Sequence, residues 1–352
     1  MTFGRRFLRV VAYGESSRTS ILSSGARPVG LRKGTGKEGS MAELTDQKIL
    51  LTGATGQLAY SIGRSLAGRN RVHAIARFSA EGSQRRLEAA GLECRKFDYV
   101  SDDLARLDDD YDYVLHLATT QIPGDLDFER ALEVNAVATG RLMARFPEVK
   151  AFFFSSTCSV YEPRGQTPLK ETDPLGDAMR GHCPTYSISK VAAETVIKFV
   201  SGQFDIPAVI ARMNVGYGPG GGLPVMHLES IKRGEPIYLH GARPNLFSPV
   251  HEEDYFRQLV GMLGEASTPP LLINWCGSQL VSAEEWCEYM AELLGKKVDF
   301  VYSDAFFPCT PCDTTRLHET IGETVVDWRE GMRRLVEGGA TDPRQGPGSR
   351  DE

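Results

Sequence analysis

Six short apolar runs, rich in β-branched residues, punctuate the chain at Lys48–Thr52, Arg71–Ala76, Tyr113–Leu117, Ala151–Ser155, Ala208–Arg212 and Leu271–Trp275, with helical patterns between most of them. Strands that alternate with helices indicate an α/β fold, a parallel sheet covered on both faces. No internal repeat of fixed period competes with this reading.

The first run leads straight into glycines, in Lys48-Ile-Leu-Leu-Thr-Gly-Ala-Thr-Gly-Gln-Leu-Ala59, and then into a helical pattern from Tyr60 to Ala67. The spacing is Gly53-x-x-Gly56-x-x-Ala59. Glycine permits the tight turn and lets backbone N–H groups approach a pyrophosphate, while the following helix N-terminus adds partial positive charge. A small residue suffices at position 59. The competing reading is an ordinary glycine-containing βα turn.

A second, independent signal is Pro184-Thr-Tyr-Ser-Ile-Ser-Lys-Val-Ala-Ala-Glu194, with Thr157 upstream at the end of an apolar run. Tyr186 and Lys190 stand at i and i+4 on one helix face. A fixed ammonium beneath a phenol lowers the phenol's pKa from about 10, so the pair is expected to exchange a proton with a hydroxyl or carbonyl.

Together these segments resemble the extended short-chain dehydrogenase/reductase family, also called the NAD-dependent epimerase/dehydratase family, over residues 47–337. Thr52-Gly53-Ala-Thr-Gly56 resembles its nucleotide loop, and Phe97-Asp98 its adenine-contacting acidic position. His116-Leu117-Ala118 resembles the strand that passes the cofactor, and Asn135 in Val134-Asn-Ala-Val-Ala-Thr139 the family's helix asparagine. Phe154-Ser-Ser-Thr-Cys-Ser-Val-Tyr161 resembles the catalytic segment, and Arg212-Met-Asn-Val-Gly-Tyr-Gly-Pro219 the stretch after the sixth strand. The resemblance implies a Rossmann-type doubly wound parallel sheet over 41–219, with 270–277 returning as its last strand. A smaller C-terminal α/β substrate lobe would comprise 220–269 and 278–337.

The resemblance also implies site residues. Gly53, Thr55, Gly56, Gln57, Leu58, Arg77, Asp98, Leu117, Ala118, Asn135, Tyr186 and Lys190 would bind the cofactor. Tyr186 would be the acid/base, Lys190 would bind the nicotinamide ribose and tune Tyr186, and Thr157 would hold the reacting oxygen. Ser155 and Ser156 belong to the strand end, and Ser159 is the fallback if the register slips by two. Asn135 supports a water relay or caps the core. Asn214 and Tyr217 are candidate substrate contacts, against turn-forming roles beside Gly218-Pro219. His251 is expected to be structural. A homodimer is expected.

Position 77 bears on the cofactor. An acid at the end of strand 2 binds a ribose 2′-hydroxyl, whereas an arginine accommodates a 2′-phosphate; Ile75-Ala-Arg-Phe-Ser79 has Arg77 and no acid. NADP(H) is therefore favoured, with NAD(H) as the alternative. Cys158-Ser159 replaces the Asp-Glu that follows the catalytic Thr in 4,6-dehydratases, which disfavours dehydration. Many nucleotide-sugar enzymes carry a phosphate-clamping arginine just before the segment equivalent to Phe247–Asp254. Pro244, Asn245 and Leu246 fill those places here, with Arg243 further off. The expected activity is an NAD(P)-dependent oxidoreductase acting on a secondary alcohol or ketone. The alternatives are a nucleotide-sugar epimerase with retained NAD, or a catalytically silent cofactor-binding protein.

Composition limits partners and compartment. The net charge of −6 argues against nonspecific nucleic-acid binding, and no apolar run approaches the ~18 residues of a membrane span. A small-molecule partner, implied by the resemblance, and a cytoplasmic location are the expectations. Residues 1–40 are basic and Ser/Gly-rich, and read as a disordered extension, a mis-assigned start ahead of Met41, or an organellar transit peptide. The 338–352 tail reads as disordered. Cys309-Thr-Pro-Cys312 has the spacing of redox pairs and zinc sites, but no second CxxC or close His pair completes a zinc set, so no metal is expected. Cys276 and Cys287 are candidates to approach one another.

Overall fold

The computed structural model describes residues 44–338. The basic stretch 1–40, and all of the 338–352 tail but Gly338, lie outside the described residues. In chain order the strands and helices are β1 (Lys48–Thr52), α1 (Gln57–Ala67), β2 (Arg71–Ala76), α2 (Ser83–Ala89), β3 (Glu93–Lys96), β4 (Tyr113–His116), α3 (Phe128–Leu132), a π turn (Glu133–Val137), α4 (Ala138–Ala144), β5 (Ala151–Thr157), α5 (Tyr186–Phe204), β6 (Ala208–Met213), β7 (Val215–Tyr217), α6 (Leu223–Arg233), β8 (Ile237–Leu239), β9 (Leu246–Phe247), β10 (Pro249–His251), α7 (Glu252–Gly264), β11 (Leu271–Trp275), β12 (Val281–Ser282), α8 (Ala283–Leu293), β13 (Phe300–Tyr302), α9 (Thr315–Thr320) and α10 (Trp328–Gly338).

The central sheet is parallel throughout, in the order β11-β6-β5-β4-β1-β2-β3. This is the Rossmann-type doubly wound arrangement. The direction of winding reverses between β1 and β4, and ligands bind open α/β sheets outside the strand C-termini at such a reversal. Inner strands are apolar because helices cover both faces: in β5, Ala151 to Phe154 are wholly buried. One face packs α1 and α7 through Ile62, Leu66, Tyr255, Leu259 and Met262; the other packs α4 and α5 through Leu142, Met143, Ala193 and Ile197.

The apolar runs omit β3, Glu-Cys-Arg-Lys, whose burial is only partial. An edge strand with half its surface in water needs no apolar run. After β6 the chain builds small sheets, β7 with β10, β9 with β12 and β8 with β13. These gather with α6, α8 and α10 around Leu228, Trp286, Met290 and Met332. The expected lobe limits need correction at two helices. Tyr255, Leu259 and Met262 of α7 and Leu317 of α9 join Trp275 in the sheet's own core, so neither helix belongs to the lobe.

Candidate active site

β1 ends at Thr52, and Gly53 turns the chain with a φ of +69°. A Cβ at Gly53 would stand 2.7 Å from the Ala118 backbone, so only glycine lets the ends of β1 and β4 approach this closely. A backbone cradle this tight, with the N-terminus of α1 beside it, fits a dinucleotide's pyrophosphate.

A buried hydrogen-bond chain holds the cradle. Thr139 Oγ1 donates to the Asn135 carbonyl at 2.8 Å and so accepts from His116 Nε2 at 2.8 Å; His116 Nδ1 accepts from the Thr52 hydroxyl at 2.8 Å, and Thr52 Oγ1 accepts the Ala118 N–H at 3.1 Å. Each hydroxyl thus donates once, which leaves the imidazole neutral. Burial pulls its pKa down to about 3, in agreement.

From the cradle a cleft of about 490 Å³ runs past Thr55 and Ala118 to Arg77 and Asp98. Arg77 is exposed and makes no hydrogen bond or ion pair among the described residues. Asp98 Oδ1 accepts the Val100 N–H at 3.1 Å. Tyr99 and Arg130 line the same stretch and were not anticipated. In the other direction, Gly53, Gly56 and Leu117 open into a chamber of about 530 Å³ lined by Gln57, Leu58, Thr157, Tyr186 and Asn214.

Thr157 closes β5 and Tyr186 opens α5, so a strand end and the start of a helix packed on the same sheet bring the hydroxyls together. The Thr157 hydroxyl lies within hydrogen-bond reach of the Tyr186 phenol and, at 3.1 Å, of Ser159 Oγ, to which Ser187 Oγ donates at 3.2 Å. Burial dominates the phenol's ionisation and pushes its pKa up to about 12; the Thr157 hydrogen bond opposes this weakly. That reverses the expected direction. Lys190 Nζ does not reach for the phenol but donates to the Ser155 carbonyl at 2.6 Å and lies 4.1 Å over the Phe154 ring. Only 2% exposed, Lys190 is itself pulled down to about 7 by burial, with Glu194 opposing.

Two other expected contacts are placed differently, and a third, Asn214, lines the chamber with its amide engaged. Asn135 is buried in the π turn, its Oδ1 accepting from Thr119 Oγ1 and Thr120 N, its Nδ2 donating to Thr120 O and Ser189 Oγ. With both ends of its amide occupied, it ties the loop after β4 to α5 and does not line the cleft. Asn214 lines the chamber, yet its amide donates to Thr310 O and Cys312 Sγ and accepts from Ser248 N, so it pins the segment before α9. Tyr217 is buried in the lobe core, its ring against His251 and its hydroxyl beside Gly331. It does not line the chamber, because its ring is taken up in the lobe core.

The CxxC cysteines diverge. Cys309 Sγ donates to the Gly165 carbonyl at 3.4 Å, whereas Cys312 Sγ lies 3.3 Å from Cys158 Sγ. Cys276 neighbours Cys312, and Cys287 neighbours His227 Nδ1 at 3.3 Å, so the expected approach of Cys276 to Cys287 is not found. Beneath Thr157, the Arg212 guanidinium grips both oxygens of Glu194 at 2.9 and 2.7 Å, and Ser156 Oγ donates to the same carboxylate at 2.6 Å. This buried pair fixes β5 and β6 against α5.

The model of the NAD dependent epimerase/dehydratase family matches residues 49–274. No protein of curated function matches in sequence. Similar solved structures include a UDP-glucuronic acid 4-epimerase from Bacillus cereus in complex with UDP-glucuronic acid and NAD (22% identity, 82% of this chain and 98% of that one, TM-score 0.71). A UDP-N-acetylglucosamine 4-epimerase from Methanobrevibacter ruminantium in complex with UDP-N-acetylmuramic acid is also similar (19%, 84% and 98%, TM-score 0.71). So is a UDP-glucose 4-epimerase from Thermotoga maritima with UDP-glucose (19%, 82% and 97%, TM-score 0.69). At these identities the likeness establishes the fold.

Proposed function

Because the chain belongs to the NAD-dependent epimerase/dehydratase family, we propose that it is an NAD(P)-dependent oxidoreductase interconverting a ketone and a secondary alcohol. The observation that carries this reading is the hydroxyl pair of Thr157 and Tyr186, held in a chamber continuous with the glycine cradle. When bound, the nicotinamide supplies or accepts a hydride at its C4. Gly53, Thr55, Gly56, Gln57, Leu58, Leu117 and Ala118 would hold the cofactor, with Arg77 and Asp98 at its adenosine end.

The rest is proton handling by the chain. A phenol pushed up to about 12 is protonated at neutral pH and stands ready to protonate an alkoxide, which suits ketone reduction. Thr157 has one proton to share between Tyr186 and Ser159. A substrate oxygen that takes this proton is held beside the phenol, with the Ser159–Ser187 hydroxyls behind it. Lys190, pulled down to about 7, is partly protonated at neutral pH and presents an N–H that a cofactor hydroxyl can draw upon. Exposed Ile188, Phe199 and Phe204 on α5 support a homodimer.

A nucleotide-sugar epimerase is the second reading, favoured by neighbours solved with UDP sugars, one of them also with NAD. Denaturing the purified protein, identifying any released nucleotide and titrating NADP(H) against NAD(H) separates the two. The oxidoreductase reading expects an exchangeable site that prefers NADP(H), and a Tyr186→Phe variant that binds nucleotide normally but loses turnover. Tight, co-purifying NAD without net redox chemistry would move the assignment to the epimerase.

A further inference from the structure

The chamber at Thr157 and Tyr186 does not end at its far wall. Leu223, Met226, Phe247 and Phe307 also line a second chamber of about 220 Å³, which continues to Pro236, Ile237, Tyr238, Leu239 and Phe306. No Lys, Arg, Asp or Glu lines either chamber. Two nearby arginines are engaged elsewhere. Arg243 lies 4.4 Å over the Tyr302 ring, and Arg212 is buried against Glu194.

Three histidines and Asn245 line the second chamber: the His182 ring lies 5.7 Å from that of Phe307, His240 Nδ1 accepts the Ala242 N–H at 3.1 Å, and the other two are engaged as well. Asn245 donates to the His240 carbonyl and to Glu284, and His227 accepts from Trp286 Nε1 at 2.9 Å. A diphosphate carried into this passage would exchange water mainly for thioether and aromatic surfaces, with no lysine or arginine to compensate. Burying an unpaired charge costs several kcal/mol. An apolar group entering the same space gains about 25 cal/mol for each Å² removed from water. A dry cavity of about 150 Å³ lined by aliphatic and aromatic side chains holds a benzene ring, so the second chamber is of a size for one ring or a branched alkyl group.

We propose that the substrate is an uncharged, elongated ketone or secondary alcohol, its reacting oxygen at Thr157 and Tyr186 and its distal apolar group between Met226, Phe247, Phe307 and Tyr238. The assignment rests on the hydride-transfer reading of the Thr157–Tyr186 pair, and goes beyond it by excluding nucleotide sugars from the same cleft.

The test uses calorimetric titration of the full chain, with NADP+ present, by 4-acetylbiphenyl, acetophenone, UDP and UDP-glucose. A Ser230→Trp variant fills the second chamber from α6, away from the reacting pair, and Ser230→Ala leaves it open. The wild-type protein should bind the two-ring ketone at least about ten-fold more tightly than acetophenone, the low end for burying a phenyl-sized group. Ser230→Trp should bring that preference to within about two-fold, as estimated from the same burial, with acetophenone binding retained; Ser230→Ala should keep it. UDP or UDP-glucose binding more tightly than the biphenyl, or an unchanged preference in Ser230→Trp, would overturn the substrate class. NADPH consumption by wild type and Tyr186→Phe tests the underlying reading separately. Tyr186-dependent conversion of UDP-glucose would keep the reacting pair and reject the substrate class. Biphenyl binding in the expected pattern without Tyr186-dependent reduction would reject the chemistry and keep the class.

Discussion

Replacing Lys190 by Met should stabilise the nucleotide-free protein at neutral pH and destabilise it at pH 10. Lys190 is 2% exposed, and burial holds its pKa near 7, against about 10.4 in an unfolded chain. Between those values the unfolded chain binds a proton that the folded chain lacks, so stability rises with pH through the window and is flat below it. At about 1.4 kcal/mol per pKa unit, the buried amine costs roughly 4 kcal/mol at pH 7. Methionine removes that cost but leaves the Ser155 carbonyl without its 2.6 Å donor, a loss of about 1–3 kcal/mol. The net expectation is a gain of about 1–3 kcal/mol at pH 7. Near pH 10 the amine's cost has fallen below about 1 kcal/mol, the lost hydrogen bond dominates, and the variant is the less stable by up to about 2 kcal/mol. Urea unfolding of both proteins at pH 7, 8.5 and 10 measures the crossover. A variant less stable at pH 7, or a difference that does not change with pH, would refute the reasoning.

Three other substitutions probe separate parts of the account. Gly53→Ala places a Cβ 2.7 Å from the Ala118 backbone at a left-handed φ; stability should fall by about 1–3 kcal/mol in a denaturant melt, and nucleotide affinity by ten-fold or more. Arg77→Glu should weaken NADPH binding about ten-fold or more while changing NADH binding far less, read by competitive titration; an unaltered ratio would remove Arg77 from cofactor choice. Glu194→Gln strands the buried Arg212 guanidinium and should cost about 3–5 kcal/mol, measured by urea unfolding.

Local signals in the sequence were sufficient where chemistry and geometry lie close along the chain. The β1–Gly53–α1 turn needs glycine for steric reasons visible in one short motif, and the order of strand and helix patterns determines the sheet. Thr157 and Tyr186 could be paired because the ends of β5 and α5 are adjacent in this topology. What escaped notice depends on distant packing. Lys190 and the phenol share a helix face, but burial, not proximity, governs both ionisations, and burial is invisible to spacing. Tyr217 was misplaced because a short strand in the lobe gave no face assignment. The Cys158–Cys312 contact joins residues 154 apart in sequence, and the His116–Thr52–Thr139 chain joins three elements. The lobe limits followed chain position, and chain position does not say which core α7 covers.

The measurement that bears most directly on the central claim is label transfer. Wild type and Tyr186→Phe would be given 4-acetylbiphenyl with NADPH deuterated on one or the other face of C4, and the products analysed by mass spectrometry. The account predicts one deuterium at the carbinol carbon, delivered from a single face, one equivalent of oxidised cofactor, and no labelled product from Tyr186→Phe. Wild-type product that is unlabelled with both labelled cofactors, or labelled equally from either face, or equal labelling by the variant, would contradict it.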